Sequence, residues 1–239
     1  MENLFEQALA EESIFKDRDL ISPHYTPDEL PNREKQIKEI TSILAPTINA
    51  KKSNNLFIYG KVGTGKTSVT KHVLHQLKEF VEKNNAKVVS VYTNCRNHPS
   101  KYKVLLKCLK DLDPEKNFLG YSAGFVYEQV IDYVRKSKSQ LIIVLDEIDK
   151  VKDLDDLVYG LTRSNDELDG GGISIIGISN NVLFKDRLDA RTKSSLCEHE
   201  MVFPPYNAEE LKEILSQRVK IAFQENSVTE PAISFAAAI

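Results

Sequence analysis

The chain is poor in several things, and each shortage excludes a class of protein. It has three cysteines, Cys95, Cys108 and Cys197, an odd number with no metal-ligand spacing. They give neither a disulfide framework nor a zinc site, and small buried thiols in a reducing compartment are expected. Long apolar runs are missing too. The densest, Leu141–Leu145, is far too short to span a bilayer, and the acidic opening "MENLFEQALAEESIF" has no basic stretch leading into an apolar one. We therefore expect an intracellular, cytoplasmic protein with no membrane partner. Excess charge of one sign is also absent. Lys and Arg number 32 against 35 Asp and Glu, a net charge of −3, so any nucleic-acid contact has to come from a local basic patch. No internal repeat or low-complexity tract is found. Glycine is scarce as well, and three of the ten, Gly60, Gly63 and Gly65, crowd into six positions.

What is present is a full complement of core-forming residues. With 239 residues, 41% hydrophobic and 28% charged, the chain can bury one large domain or one and a half. Short Val- and Ile-rich runs at Leu56–Tyr59, Val88–Tyr92, Leu141–Leu145, Ile173–Ile178 and Met201–Phe203 suit the strands of a buried parallel sheet. Between the first two, Val69, Val73, Leu77, Phe80 and Val81 recur on one face over Thr67–Asn84, as a crossover helix requires. The expected class is α/β, with a five-stranded parallel sheet flanked by helices. From Thr93 to Gln140 there are 48 positions, more than a simple crossover needs, so inserted helices are expected at about 93–125. Pro204-Pro205 is the clearest break. Beyond it Asn207 can cap a helix, with Glu210 completing a capping box and Leu211, Ile214, Leu215 and Val219 forming its apolar face. Thr229 or Pro231 can open a second helix. The expected division is a nucleotide-binding core over 1–205 and a partial helical lid over 206–239.

Gly60-Lys61-Val62-Gly63-Thr64-Gly65-Lys66-Thr67 matches the phosphate-binding P-loop, with an apolar strand before it and a helix, entered through Ser68, after it. Glycines let successive N–H groups curl around an anion, and the helix N-terminus adds partial positive charge. Lys66 can reach the terminal phosphates of ATP, and Thr67 can offer a hydroxyl to Mg2+. "LIIVLDEIDK" supplies a partner for that loop: Asp146 can bring a carboxylate to the metal, and Glu147 can orient or deprotonate the attacking water. Alone, the two acids read better as a solvated strand end, and the upstream loop tips the reading toward the metal. Asp149 and Lys150 read as surface charges at a helix start. The strand "ISIIGISNN" ends in Asn180, which faces the γ-phosphate if this strand lies between the P-loop strand and the Asp146 strand; otherwise it enters a turn.

In this order the P-loop, "LDEID", Asn180, "LDARTKSSL" and "MVFPPYNAEEL" resemble the AAA+ ATPase core, specifically that of archaeal origin-recognition/cell-division-cycle replication initiators. "YTPDELPNREKQIKEI" resembles that family's segment that covers the adenine, and "TNCRNHPSKYKVLLKCL" the opening of its initiator-specific insertion. The resemblance implies an ATPase that binds double-stranded origin DNA in its ATP state and is reset by slow hydrolysis. It also implies a nucleoid-associated location, with a replicative helicase and homologous initiator subunits as partners. It adds Tyr25, Pro31, Arg33 and Tyr206 to the nucleotide contacts and makes Asn180 the first sensor. Arg191 becomes the arginine offered to a neighbour's ATP, with Arg187 and Arg163 as alternatives. The resemblance further implies a longer lid and a winged-helix domain, neither of which is found in this sequence.

Lys103, Lys107 and Lys110 follow helical spacing opposite Leu105, Leu109 and Leu112. Such a row can be a plain solvated face or a contact to the duplex backbone. Phe118, Tyr121 and Phe125 follow, and an exposed one or two of them could touch DNA. Two other functions share these motifs, namely a clamp-loader or remodelling motor and a signalling ATPase without a DNA role.

Overall fold

The structure, a computed structural model, describes residues 13–22, 25, 27, 29–117, 120–181 and 183–238. Two units divide the chain. Residues 33–205 form the larger unit, and the segments up to 32 and from 206 onward form the smaller one.

The larger unit is built on a five-stranded sheet. Its strands are β1 (Leu56–Tyr59), β2 (Val88–Asn94), β3 (Gln140–Asp146), β4 (Gly172–Ser179) and β5 (His199–Val202), in the order β2-β3-β4-β1-β5. All the pairings are parallel. The central strands β3 and β4 are buried along their whole length. That explains their unbroken apolar runs: a parallel strand is covered on both faces and has no solvent side to alternate with. The two runs extend one residue further at each end than the apolar residues alone suggest, because Gln140 and Asp146 also pair in the ladder. At the edge, β5 begins at His199 and stops before Phe203, shifted toward its polar N-terminal side.

The connecting helices are α1 (Glu34–Leu44), α2 (Lys66–Asn84), α3 (Lys101–Leu112), α4 (Ala123–Ser137), α5 (Leu154–Arg163) and α6 (Ala190–Leu196). α2 buries Val69, Val73 and Leu74 but leaves Phe80 exposed. The crossover helix outruns the sheet, so the apolar stripe read from periodicity is covered only along its first half. α3 and α4 are no appendage. Val104, Leu105, Cys108 and Leu109 of α3 and Val126, Val130 and Ile131 of α4 belong to the main core. Ser100 and Ser122 cap these helices, each hydroxyl accepting from a backbone N–H three residues on. The thiols are free. Burial pushes Cys108 up to about 12 and Cys197 up to about 11, and raises Cys95 as well, so these groups stay protonated and inert.

The smaller unit contains α7 (Ala208–Ala222) and α8 (Glu230–Ala238). α7 opens on the expected capping box: Glu210 N–H donates to Asn207 Oδ1 (2.9 Å) and Asn207 N–H donates to Glu210 Oε2 (2.8 Å). The first described segment packs on the end of this helix through Phe15 and Phe223, whose ring centroids lie 4.7 Å apart. Arg218 donates to the Leu20 carbonyl at 2.7 Å and stacks over Tyr25 at 4.8 Å. No helix among the described residues is long and apolar enough to cross a membrane.

Candidate nucleotide site

The sheet order places the site. β4 lies between β1 and β3, so the C-terminal ends of three adjacent strands deliver the P-loop, Asp146 and Asn180 to one edge. An open parallel sheet binds ligands at that edge.

The loop from Gly60 to Gly65 has little freedom. A side chain at Gly60 would set its Cβ 2.4 Å from the Phe203 carbonyl oxygen, so only glycine lets the loop start against the end of β5. Gly63 and Gly65 sit at φ +81° and +86°, in the left-handed region that L side chains disfavour. Val62, at the tip, is 80% exposed. Lys66 is only 4% exposed, and its ammonium donates to the carbonyls of Gly60 (2.9 Å) and Lys61 (2.6 Å) and to Thr64 Oγ1 (3.3 Å). Burial lowers its pKa, opposed by the nearby negative charge of Asp146. The result is a cation folded into its own loop, surrounded by weak acceptors that a phosphate's oxygens would outcompete. Ser68 follows on α2, whose free N–H groups begin beyond Gly65.

Asp146 is the meeting point. Its Oδ2 accepts from Thr67 Oγ1 at 2.7 Å and also from the Tyr92 hydroxyl, while Oδ1 accepts from the Glu147 N–H at 2.9 Å. The Thr67 hydroxyl and the Asp146 carboxylate are hard oxygen donors side by side, as Mg2+ requires. Among the described residues no cluster of three or more His, Cys, Asp or Glu could hold a metal. One carboxylate and one hydroxyl suit an ion that keeps its waters and takes further ligands from a phosphate chain.

Glu147 has a left-handed backbone (φ 53°, ψ 46°), a conformation rare outside glycine and asparagine. Its carboxylate accepts from Arg96 Nε at 2.9 Å. Arg96 is 70% exposed and Glu147 19%, so this pair can open without disturbing the core. Asn180 follows the last residue of β4 and is exposed at the same edge. Its strand end is held from below: Ser179 Oγ donates to Asp149 Oδ1 (2.9 Å) and accepts from the Asn181 N–H (3.0 Å). Asp149 is thus not a surface charge. Its side chain is 14% exposed and ties the turn after β3 to the end of β4, whereas Lys150 is 49% exposed.

Other expected contacts are placed differently. Arg33 is 2% exposed, with its guanidinium directed at backbone carbonyls. Tyr25, Pro31 and Tyr206 belong to the smaller unit. Arg191 is exposed on α6, 6.0 Å from the Tyr159 ring; Arg187 is exposed, and Arg163 pairs with Asp166 at 2.9 Å. Of the lysine row, Lys103 and Lys110 are exposed, and Lys107 is half-buried and ion-paired with Asp111. Tyr121 and Phe125 are both exposed and stack on each other, with centroids 4.5 Å apart. Phe118 lies outside the described residues.

Three contributors were missed by motif reading: Tyr92, Arg96 and Asp149. For Tyr92 a signal existed. Asn94 pairs with Asp146 in the ladder, and a residue two positions back shares a face, which puts its side chain within diagonal reach of the acid. Burial raises the Tyr92 pKa, and its bond to Asp146 raises it further, so the phenol remains a donor.

A five-stranded sheet in this order, carrying a P-loop and paired acids at one edge, defines a P-loop ATPase of the AAA class. The AAA domain family matches residues 49–181, and the chain belongs to that family. Within it, the chain is similar to ORC1-type proteins of archaea. It is 42% identical over 99% of its length to an ORC1-type DNA replication protein 1 of Archaeoglobus fulgidus, of which it covers 58%. The Aeropyrum pernix ORC1 protein in complex with DNA superposes with a TM-score of 0.86 at 36% identity, over 95% of this chain and 59% of that one. The Aeropyrum pernix ORC2 protein in its ADPNP-ADP complexes shares the fold, with a TM-score of 0.81 at 20% identity, covering 94% of this chain and 61% of that one. The chain thus spans about 60% of the length of these relatives.

Proposed function

We propose that the chain is the nucleotide-binding part of a DNA replication initiator, one that binds ATP with Mg2+, engages duplex origin DNA in that state and is reset by slow hydrolysis. The observation that carries the nucleotide half is the convergence of Lys66, Thr67 and Asp146 at the mouth of the P-loop, with Glu147 beside them. The likeness to an ORC1 protein in complex with DNA supports the other half.

In this reading the loop's amides and Lys66 bind the β- and γ-phosphates. Thr67 and Asp146 would hold the metal, which would supply positive charge against the phosphate chain. Glu147, released from Arg96, orients the attacking water and takes up its proton, and Asn180 aligns that water with the phosphorus. Arg191 is presented to the nucleotide of a neighbouring initiator subunit. Division into a core ending near Pro205 and a helical lid lets nucleotide state reach the rest of the protein. Lys103 and Lys110, with the Tyr121–Phe125 stack beyond them, form the face that meets the duplex backbone. A replicative helicase is the downstream partner.

Nucleotide binding and duplex binding, measured separately, test the proposal. We expect Mg2+-dependent affinity for ATP and ADP, and duplex affinity that rises with ATP and falls with salt. A folded chain with no affinity for adenine nucleotides would reject the reading. Nucleotide binding without salt-dependent duplex binding would leave an ATPase of another role.

A further inference from the structure

Arg33 behaves unlike a ligand-contacting residue. It stands at the N-terminus of α1, is 2% exposed and directs two of its donors at main-chain oxygens. Nε donates to the carbonyl of Thr64 in the P-loop (3.0 Å), and one terminal nitrogen donates to the carbonyl of Pro204, just past β5 (2.8 Å). Its guanidinium carbon lies over the Phe203 ring, 5.8 Å from the centroid. A second, independent contact joins the same two segments, since Gly60 abuts the Phe203 carbonyl so closely that no Cβ fits. Thr64 itself is 2% exposed and also donates through its hydroxyl to the Lys61 carbonyl at 2.9 Å.

The consequence follows from peptide geometry. In a trans peptide the N–H points opposite the C=O. Holding the Thr64 oxygen therefore fixes the direction of the Gly65 N–H, the amide that opens α2 at the end of the loop. We infer that Arg33 is a positioning residue of the phosphate loop. It sets the Thr64–Gly65 peptide plane and clamps the loop to the Phe203–Pro204 segment, touching neither phosphate nor base. This inference rests on the nucleotide-binding reading of the site and revises the role of Arg33 within it.

The test uses charge against shape. Arg33→Lys keeps the cation but replaces a planar fork with a point donor, which cannot serve two carbonyls in fixed directions. We expect affinity for Mg·ADP to fall about tenfold or more, with the preference for adenine over guanine nucleotides unchanged. Unaltered affinity would mean a cation acting directly on phosphate, and a changed base preference would mean a contact to the base; either overturns the inference. A second measurement needs no variant. In the 15N spectrum of the unaltered chain, the Arg33 Nε–H should be protected from exchange with water, with and without Mg·ADP, whereas that of the exposed Arg96 should not. Exchange as fast as at Arg96 would overturn the clamp. This arm decides it even if the unaltered chain bound no nucleotide and the functional reading fell.

Discussion

The P-loop mouth and the outer face of α3 are both cationic, yet they are built by opposite means. At the mouth, Lys66 and Arg33 are almost fully buried, and each is held by several oxygens of named residues. On α3, Lys103 and Lys110 stand in solvent on flexible stems, and Lys107 is restrained by Asp111. The first arrangement fixes where each donor points and so selects a ligand by shape. The second fixes only an approximate density of charge, enough for a phosphate backbone that repeats along a duplex and is met without base reading. One region should therefore fail sharply when a single atom group is lost, and the other gradually.

The largest expected effect is at the mouth. Lys66→Ala should lower ATP affinity by about two orders of magnitude or more, because removing a buried charged donor forfeits several charge-assisted bonds at once; equilibrium binding of a fluorescent nucleotide measures it. Glu147→Gln should leave that affinity in place and cut hydrolysis by about a hundredfold or more, as expected for loss of a general base, read as phosphate release under saturating ATP. Equal hydrolysis by the two variants would remove the distinction between them. On the other side, Lys103→Glu with Lys110→Glu should leave nucleotide binding unchanged and reduce the salt dependence of duplex binding by about two counterions. If the double variant binds DNA like the unaltered chain, the α3 face is only solvated. The smallest effect should come from Arg96→Ala. Its ion pair with Glu147 is exposed, so releasing the acid should raise turnover by less than about fivefold, measured against unchanged nucleotide affinity.

The same contrast explains what could be read from the sequence. The P-loop is legible because backbone geometry dictates residue type, glycine where the chain must turn left-handed or approach Phe203, and the Asp146-Glu147 pair is legible only beside that loop. The strands are legible because a doubly covered sheet demands unbroken apolar runs. Arg33 was readable as part of the site but not in its role, since its partners Thr64 and Pro204 are 31 and 171 positions away and offer main-chain oxygens, which carry no residue identity. In the sequence Asp149 reads as a surface charge because its partner, Ser179, lies 30 positions away at the end of β4. The exposure of Phe80 also escaped periodicity, which reports a face and not how far along the helix that face is covered. For α3, spacing identified the lysines but could not show that Asp111 restrains one of them.

The left-handed backbone at Glu147 has a consequence for how the chain can change. A glutamate gains nothing from φ 53°, and holding an ordinary residue there costs about 1 kcal/mol, a strain that asparagine accommodates more easily. Glu147→Asn should therefore melt at a slightly higher temperature while ceasing to turn over ATP. On the proposed role of Glu147, heat resistance and turnover would then pull this position in opposite directions.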